Sequence, residues 1–246
     1  MALKEKVFEK APCMKFTLTD TKPSVFESKV GGVGYVPRDG EVPVGEGGAK
    51  MQFLAQVNCA DLDLEDFPKS GLLQFWILED DLGLGREPCD PTTNRVVYYS
   101  EDEIDRTVTE DEARAKTEPV FDEDYFPVKG EYGMAFEKIM DENYVYTEEE
   151  IDEWFKDKSI ELKENSGHKV GGFGRSEQAD PKETDPSLEA YSVLLFQLDS
   201  DCEENEDGDY IERVMWCDGG VGNFYIKPED LKALDFSDVL YNWDCG

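Results

Sequence analysis

Histidine is almost missing from this 246-residue chain: there is one, His168. A zinc site built on two or more histidines is therefore excluded within one chain, as is the HExxH arrangement of a zinc peptidase. A Ser-His-Asp triad would have to use His168, which is read as a turn residue. No CxxC pair occurs among the six cysteines at 13, 59, 89, 202, 217 and 245, so zinc ribbons and thioredoxin-like redox pairs lack their signature. No G-x-x-x-x-G-K-[ST] run cradles a phosphate, and Gly32-Val33-Gly34 lacks the third glycine of a dinucleotide fingerprint. A G-x-S-x-G nucleophile elbow is also missing. No apolar run approaches the roughly 20 residues of a membrane helix, and the alternating charged and apolar residues of Met1–Lys10 do not read as a signal peptide.

Basic residues are scarce too. Lysine and arginine total 25 against 58 aspartates and glutamates, a net charge of -33. A surface this negative repels phosphate backbones and anionic lipid, so nucleic-acid and membrane partners are not expected. It attracts basic proteins and cations. Hydrophobic residues at 39% and aromatics at 12% are nevertheless too many for a disordered acidic tail. One compact domain over 1–246 is expected, in a reducing cytoplasm, with its cysteines as free thiols. Cys59 and Cys217, beside strand-like runs, are expected to be small buried hydrophobes.

Alternation predicts strands at 15–19, 51–58, 71–78, 95–99, 193–198 and 221–226. Asp61 to Phe67 reads as one helical turn capped by Asp61. Thr147 and Glu150 form a capping box for a helix reaching about Lys158. Pro228-Glu229-Asp230 opens a further short helix. Residues 101–124 carry 11 acids and three bases, which suits a solvated excursion. Residues 199–212 hold eight acids and read as a loop or hairpin tip.

The strongest pattern is an internal repeat, about 28–78 and 167–236. Lys29-Val-Gly-Gly-Val-Gly34 recurs as Lys169-Val-Gly-Gly-Phe-Gly174. Leu54-Ala-Gln-Val-Asn58 recurs as Leu195-Phe-Gln-Leu-Asp199, and Gly71-Leu-Leu-Gln-Phe-Trp-Ile77 as Gly220-Val-Gly-Asn-Phe-Tyr-Ile226. These matches point to an α+β fold: a mainly antiparallel sheet built from two pseudo-repeated halves, with a few short helices. Residues two apart share a strand face, so Gln56 and Gln74 in one copy, and Gln197, Asp199 and Asn223 in the other, are candidates to line a cleft. Lys29 and Lys169 would supply its cations. The alternative is a wetted sheet face, or amides that staple the halves together.

The acidic run 199–209 resembles a calcium loop, with Asp199, Asp201, Asp207 and Asp209 as weak candidate ligands. With Gly208 at the sixth position, however, the twelfth is Val214 rather than glutamate, so no EF-hand is expected. No cofactor is expected, and no catalytic residue is singled out.

Taken together, Ser28-Lys-Val-Gly-Gly32, Phe53-Leu-Ala-Gln-Val-Asn58, Gly71-Leu-Leu-Gln-Phe75, His168-Lys-Val-Gly-Gly-Phe173, Met215-Trp216, Asp218-Gly-Gly-Val-Gly-Asn-Phe224 and Leu240-Tyr-Asn-Trp-Asp-Cys245 resemble the YwqG-like family of bacterial proteins, a domain of unknown function. The resemblance runs from about Ser28 to Cys245. Gly34 and Gly174 stand where such proteins usually carry proline, Cys217 where glycine is usual, and Lys182 where arginine is usual. The resemblance implies an α+β fold, a bacterial cytoplasmic setting, and an immunity-like or interaction role. The expected function is thus a non-catalytic protein-binding module whose acidic surface meets a basic protein. The alternative is a small-ligand-binding protein or enzyme that uses a cleft between the repeats.

Overall fold

Strict alternation over Met14, Phe16 and Leu18 turns three large apolar side chains to one face of a long strand, β1 (Val7–Thr19). The computed structural model describes residues 7–78, 89–117, 126–144, 156, 163–204 and 208–246. Within them the fold is mostly β. The strands after β1 are β2 (Lys29–Gly31), β3 (Gln52–Asn58), β4 (Leu72–Ile77), β5 (Asn94–Tyr99) and β6 (Glu131–Tyr144). They continue with β7 (Lys169–Gly171), β8 (Val193–Asp199), β9 (Asp201–Glu204), β10 (Tyr210–Val214), β11 (Val221–Ile226) and β12 (Leu240–Asp244). Three short α-helices are described: α1 (Glu110–Thr117), α2 (Pro181–Thr184) and α3 (Pro228–Ala233). The expected α+β class is corrected accordingly. The helices are too short to form a layer of their own, and the core is made by sheet faces.

Ten strands form one antiparallel sheet in the order β12-β11-β8-β7-β1-β6-β2-β3-β4-β5, and β9 and β10 form a separate hairpin. The central pair β1–β6 runs in register from Thr19↔Gly133 to Glu9↔Asn143. Moving outward from it, each side carries a strand of three residues, then seven, then six, then an edge strand. The sheet curls so that its two wings meet face to face. Phe75 of β4 stacks on Phe196 of β8 at 4.4 Å and tilts against Phe224 of β11 at 5.0 Å. Phe16 of β1 also stacks on Phe196, at 5.7 Å. These aromatic contacts across the curl hold the wings together.

The opposite faces of the outer strands are covered by loops. Tyr35, Val25, Val33, Ile104, Val108 and Ala113 pack over Leu72. Ile104, Val108 and Ala113 belong to the acidic stretch 101–124, so its described part inserts three apolar side chains while its carboxylates face solvent. The turn expected at 61–67 sits earlier, as a 3-10 turn over Cys59–Asp61 capped by the Asn58 side chain. Asp61 instead accepts a bond from Ser28. The capping box at Thr147 and Glu150 lies outside the described residues. Among the described residues no helix is long and apolar enough to cross a membrane.

Candidate functional site

The register brings the candidate residues together in two sets, one per wing. Lys29 of β2 opposes Gln56 of β3, and Gln56 opposes Gln74 of β4. In the other wing Lys169 of β7 opposes Gln197 of β8, which opposes Asn223 of β11. Each set faces away from the aromatic core and lies beneath a loop of its own wing.

The amides are consumed by those loops. Gln56 Oε1 accepts the Tyr35 amide at 3.0 Å, and Gln56 Nε2 donates to the carbonyls of Val25 and Glu27, both at 3.0 Å. Gln197 does the same: Oε1 accepts the Arg175 amide at 2.8 Å, and Nε2 donates to the carbonyls of Asn165 and Gly167 at 2.9 and 2.7 Å. Gln74 donates to the Tyr35 carbonyl at 2.7 Å, as Asn223 donates to that of Arg175 at 2.7 Å. A buried amide can satisfy several loop backbone groups at once, which an apolar side chain could not. The correspondence ends at the shorter Asn223. Gln74 Oε1 accepts from Trp76 Nε1 at 3.1 Å, whereas the buried Asn223 Oδ1 has no protein partner.

The lysines are buried beside the paired glycines. Lys29 Nζ donates to Glu131 at 2.7 Å and to the Pro23 carbonyl at 3.0 Å; Lys169 Nζ donates to Asp141 at 2.9 Å. Burial pulls both ammonium groups below the usual lysine range, and the facing carboxylates pull them back up. Gly32 and Gly172 sit at φ +68° and +73° against these same carboxylates, and a Cβ on Gly172 would lie 2.5 Å from Asp141 Oδ2. Asp141 also accepts the Phe173 amide at 3.0 Å. The Lys-Val-Gly-Gly motif is thus a turn closed around an ion pair. Glu131 and Asp141 lie on β6, a strand that alternation did not reveal.

Asp199 is bound on both oxygens. It accepts the Gly167 amide at 2.7 Å, the Arg175 guanidinium at 2.9 Å and the Ser200 amide at 3.0 Å. Asp201 faces His168 Nε2 at 3.2 Å, which holds its carboxyl below the usual range. Asp209 is exposed, and Asp207 lies outside the described residues. Among the described residues no group of three or more His, Cys, Asp or Glu is placed to hold a metal ion.

Two clefts flank the central pair, where the three-residue β2 and β7 end and the sheet splits. One, of about 560 Å³, is lined by Ser28, Asn58 and Asp61 opposite Met134 and Phe136 of β6. The other, of about 400 Å³, is lined by His168, Ser200 and Asp201 opposite Phe16 and Leu18 of β1. Ser28 Oγ accepts the Asn58 amide at 2.9 Å and donates to Asp61 at 2.6 Å. His168 Nδ1 accepts the Asp199 amide at 3.1 Å, leaving Nε2–H to face Asp201. None of the seven cleft candidates, Lys29, Gln56, Gln74, Lys169, Gln197, Asp199 and Asn223, lines either cleft. Sequence reasoning passed over the Ser28–Asp61 and His168–Asp201 pairs, although both members recur at one spacing.

The cysteines divide by environment. Cys13 and Cys59 are buried, and burial pushes both thiols up to about 12. Cys217, expected in the core, is exposed: it occupies a turn at φ +52°, a left-handed conformation that glycine adopts more readily than cysteine.

Residues 28–245 match the family model described as Domain of unknown function (DUF1963), and the chain belongs to that family. No curated protein matches it.

Proposed function

We propose that this member of the DUF1963 family is a non-catalytic binding module of the YwqG-like kind, whose acidic surface docks a basic protein partner in the cytoplasm of a bacterium. The observation that carries the reading is the charge of -33, set beside the use of the buried polar side chains. The two wings are read as copies of one ancestral unit, in support of which Gln56 and Gln197 bind loop backbone groups in the same pattern. In both wings the amides, lysines and Asp199 hold loops and ion pairs, so no activated nucleophile or base is left among them. Exposed carboxylates remain as the chemistry offered to a partner, and they favour fast, salt-sensitive encounter with a cationic surface. An immunity-like role is one form such docking takes.

The test is capture from native lysate at low and at high salt, repeated with the Glu203→Lys/Glu204→Lys variant of the β9–β10 hairpin. A basic partner that is held at low salt, lost at high salt and weakened by charge reversal supports the reading. Absence of any salt-labile partner overturns it.

The two clefts favour a second reading, a small ligand held between Ser28 and Asp61 or between His168 and Asp201. Thermal-shift screening of polar metabolites against the chain and its Asp61→Asn and Asp201→Asn variants distinguishes it, because only cleft binding is lost with the carboxylate.

A further inference from the structure

The turn between β10 and β11 packs directly on the residues that follow β12. The Gly220 amide donates to the Trp216 carbonyl at 2.9 Å, closing the turn, and the Ser200 hydroxyl holds the Gly220 carbonyl at 2.7 Å. Register pairs Val221 with Asp244. A Cβ on Gly220 would lie 2.8 Å from the Cα of Cys245, and one on Gly246 would lie 3.6 Å from the Asp218 carbonyl oxygen. Trp216 and Trp243 stack beneath at 6.0 Å. The backbone on both sides is therefore fixed, and it sets the turn that carries Cys217 against Cys245, near enough for each thiol to influence the other. Both are at least partly exposed, whereas Cys13 and Cys59 are sealed in the core.

We propose that Cys217 and Cys245 are a dithiol–disulfide site that, when oxidised, staples the turn before β11 to the end of β12. The oxidant is a small disulfide such as oxidised glutathione. The thiolate of one cysteine attacks a glutathione sulfur, forming a mixed disulfide and releasing one glutathione thiol. The second cysteine, on losing its proton, attacks the protein sulfur of that mixed disulfide and releases the other glutathione thiol. Two protein thiols are oxidised to one disulfide while one glutathione disulfide is reduced to two thiols. A disulfide here would join two segments whose backbones already lie against each other, which is what its short Cα–Cα span requires. Its neighbour and partial burial raise the Cys217 thiol above its ordinary range, so the exchange runs faster in mildly alkaline buffer than at neutrality.

The experiment treats the full chain with oxidised glutathione in mildly alkaline buffer, blocks remaining thiols by alkylation, and maps peptides without reduction. A peptide pair joined through Cys217 and Cys245, reversed by dithiothreitol, is the expected result. Cys217→Ser and Cys245→Ser should each abolish the link and leave a glutathione adduct on the remaining cysteine, while their reduced melting temperatures match that of the parent chain. Glutathione on both cysteines without a link, a link from either to Cys202, or two thiols still open to alkylation would overturn the proposal.

Discussion

The side-chain amide of Gln74 donates to the side-chain oxygen of Gln56 across adjacent strands at 2.8 Å, with both residues sealed from solvent. That contact joins a network reaching the backbone of Val25, Glu27 and Tyr35. Gln56→Leu leaves those groups buried without partners, and a loss of about 2–4 kcal/mol is expected. Gln197→Leu should cost a similar amount in the other wing. Urea denaturation checks both, and a loss below about 1 kcal/mol would show that water replaces the amide.

The two positive-φ glycines Gly172 and Gly47 separate conformational strain from collision. Gly47 sits at φ +73° with nothing within 4 Å of a Cβ, whereas Gly172 at the same φ has Asp141 there. Gly47→Ala is expected to cost about 1–2 kcal/mol, the left-handed penalty alone. Gly172→Ala should cost clearly more, because it also displaces the carboxylate that holds Lys169 and the Phe173 amide. Equal losses in the two variants would refute a turn closed around the ion pair.

Lys29 is buried against Glu131, which is partly open to water. Lys29→Met should lose about 2–3 kcal/mol, less than a fully sealed pair because Glu131 regains solvent. Lys29→Met combined with Glu131→Gln should lose less than the two single losses added. A double-mutant cycle in denaturant reads this coupling, and strict additivity would mean that the pair contributes nothing of its own.

Glu112, in the first turn of α1, is pulled down to about 2 by the Arg38 guanidinium and by the Thr109 amide and hydroxyl. A carboxylate lowered in the folded state adds stability that is full above its ordinary value of 4.5 and is lost as pH falls toward 2. Glu112→Gln should therefore be less stable than the parent chain near neutrality, with the gap closing between about pH 4.5 and pH 2. Denaturation midpoints across that range test the sign. A gap that is flat with pH would place the Arg38 contact outside the stability of the fold.

Strands with one face in the core were legible in the sequence. Predicted bounds of 51–58, 71–78, 95–99 and 193–198 fall within one residue of the observed strands, and 221–226 coincides with β11. β6 was not legible. Tyr132, Met134 and Phe136 alternate, but Ile139 and Met140 break the phase, and the consecutive charges Glu137 and Lys138 interrupt the run so that it reads as surface. Most of β1 escaped for the same reason, because Val7–Lys10 mixes charge with apolar residues. Alternation placed Gln56, Gln74, Gln197 and Asn223 on shared faces correctly. It could not show that loops would lie over them, because that depends on contacts between residues about 20 to 50 positions apart.

The three-residue length of β2 and β7 has a kinetic consequence. Each wing is assembled from neighbours in the chain, while β1 and β6 must meet across more than a hundred residues. Closing that long loop is entropically expensive until other contacts reward it. The wings should therefore form first as separate meanders, with the central ribbon zipping between them last across two short seams.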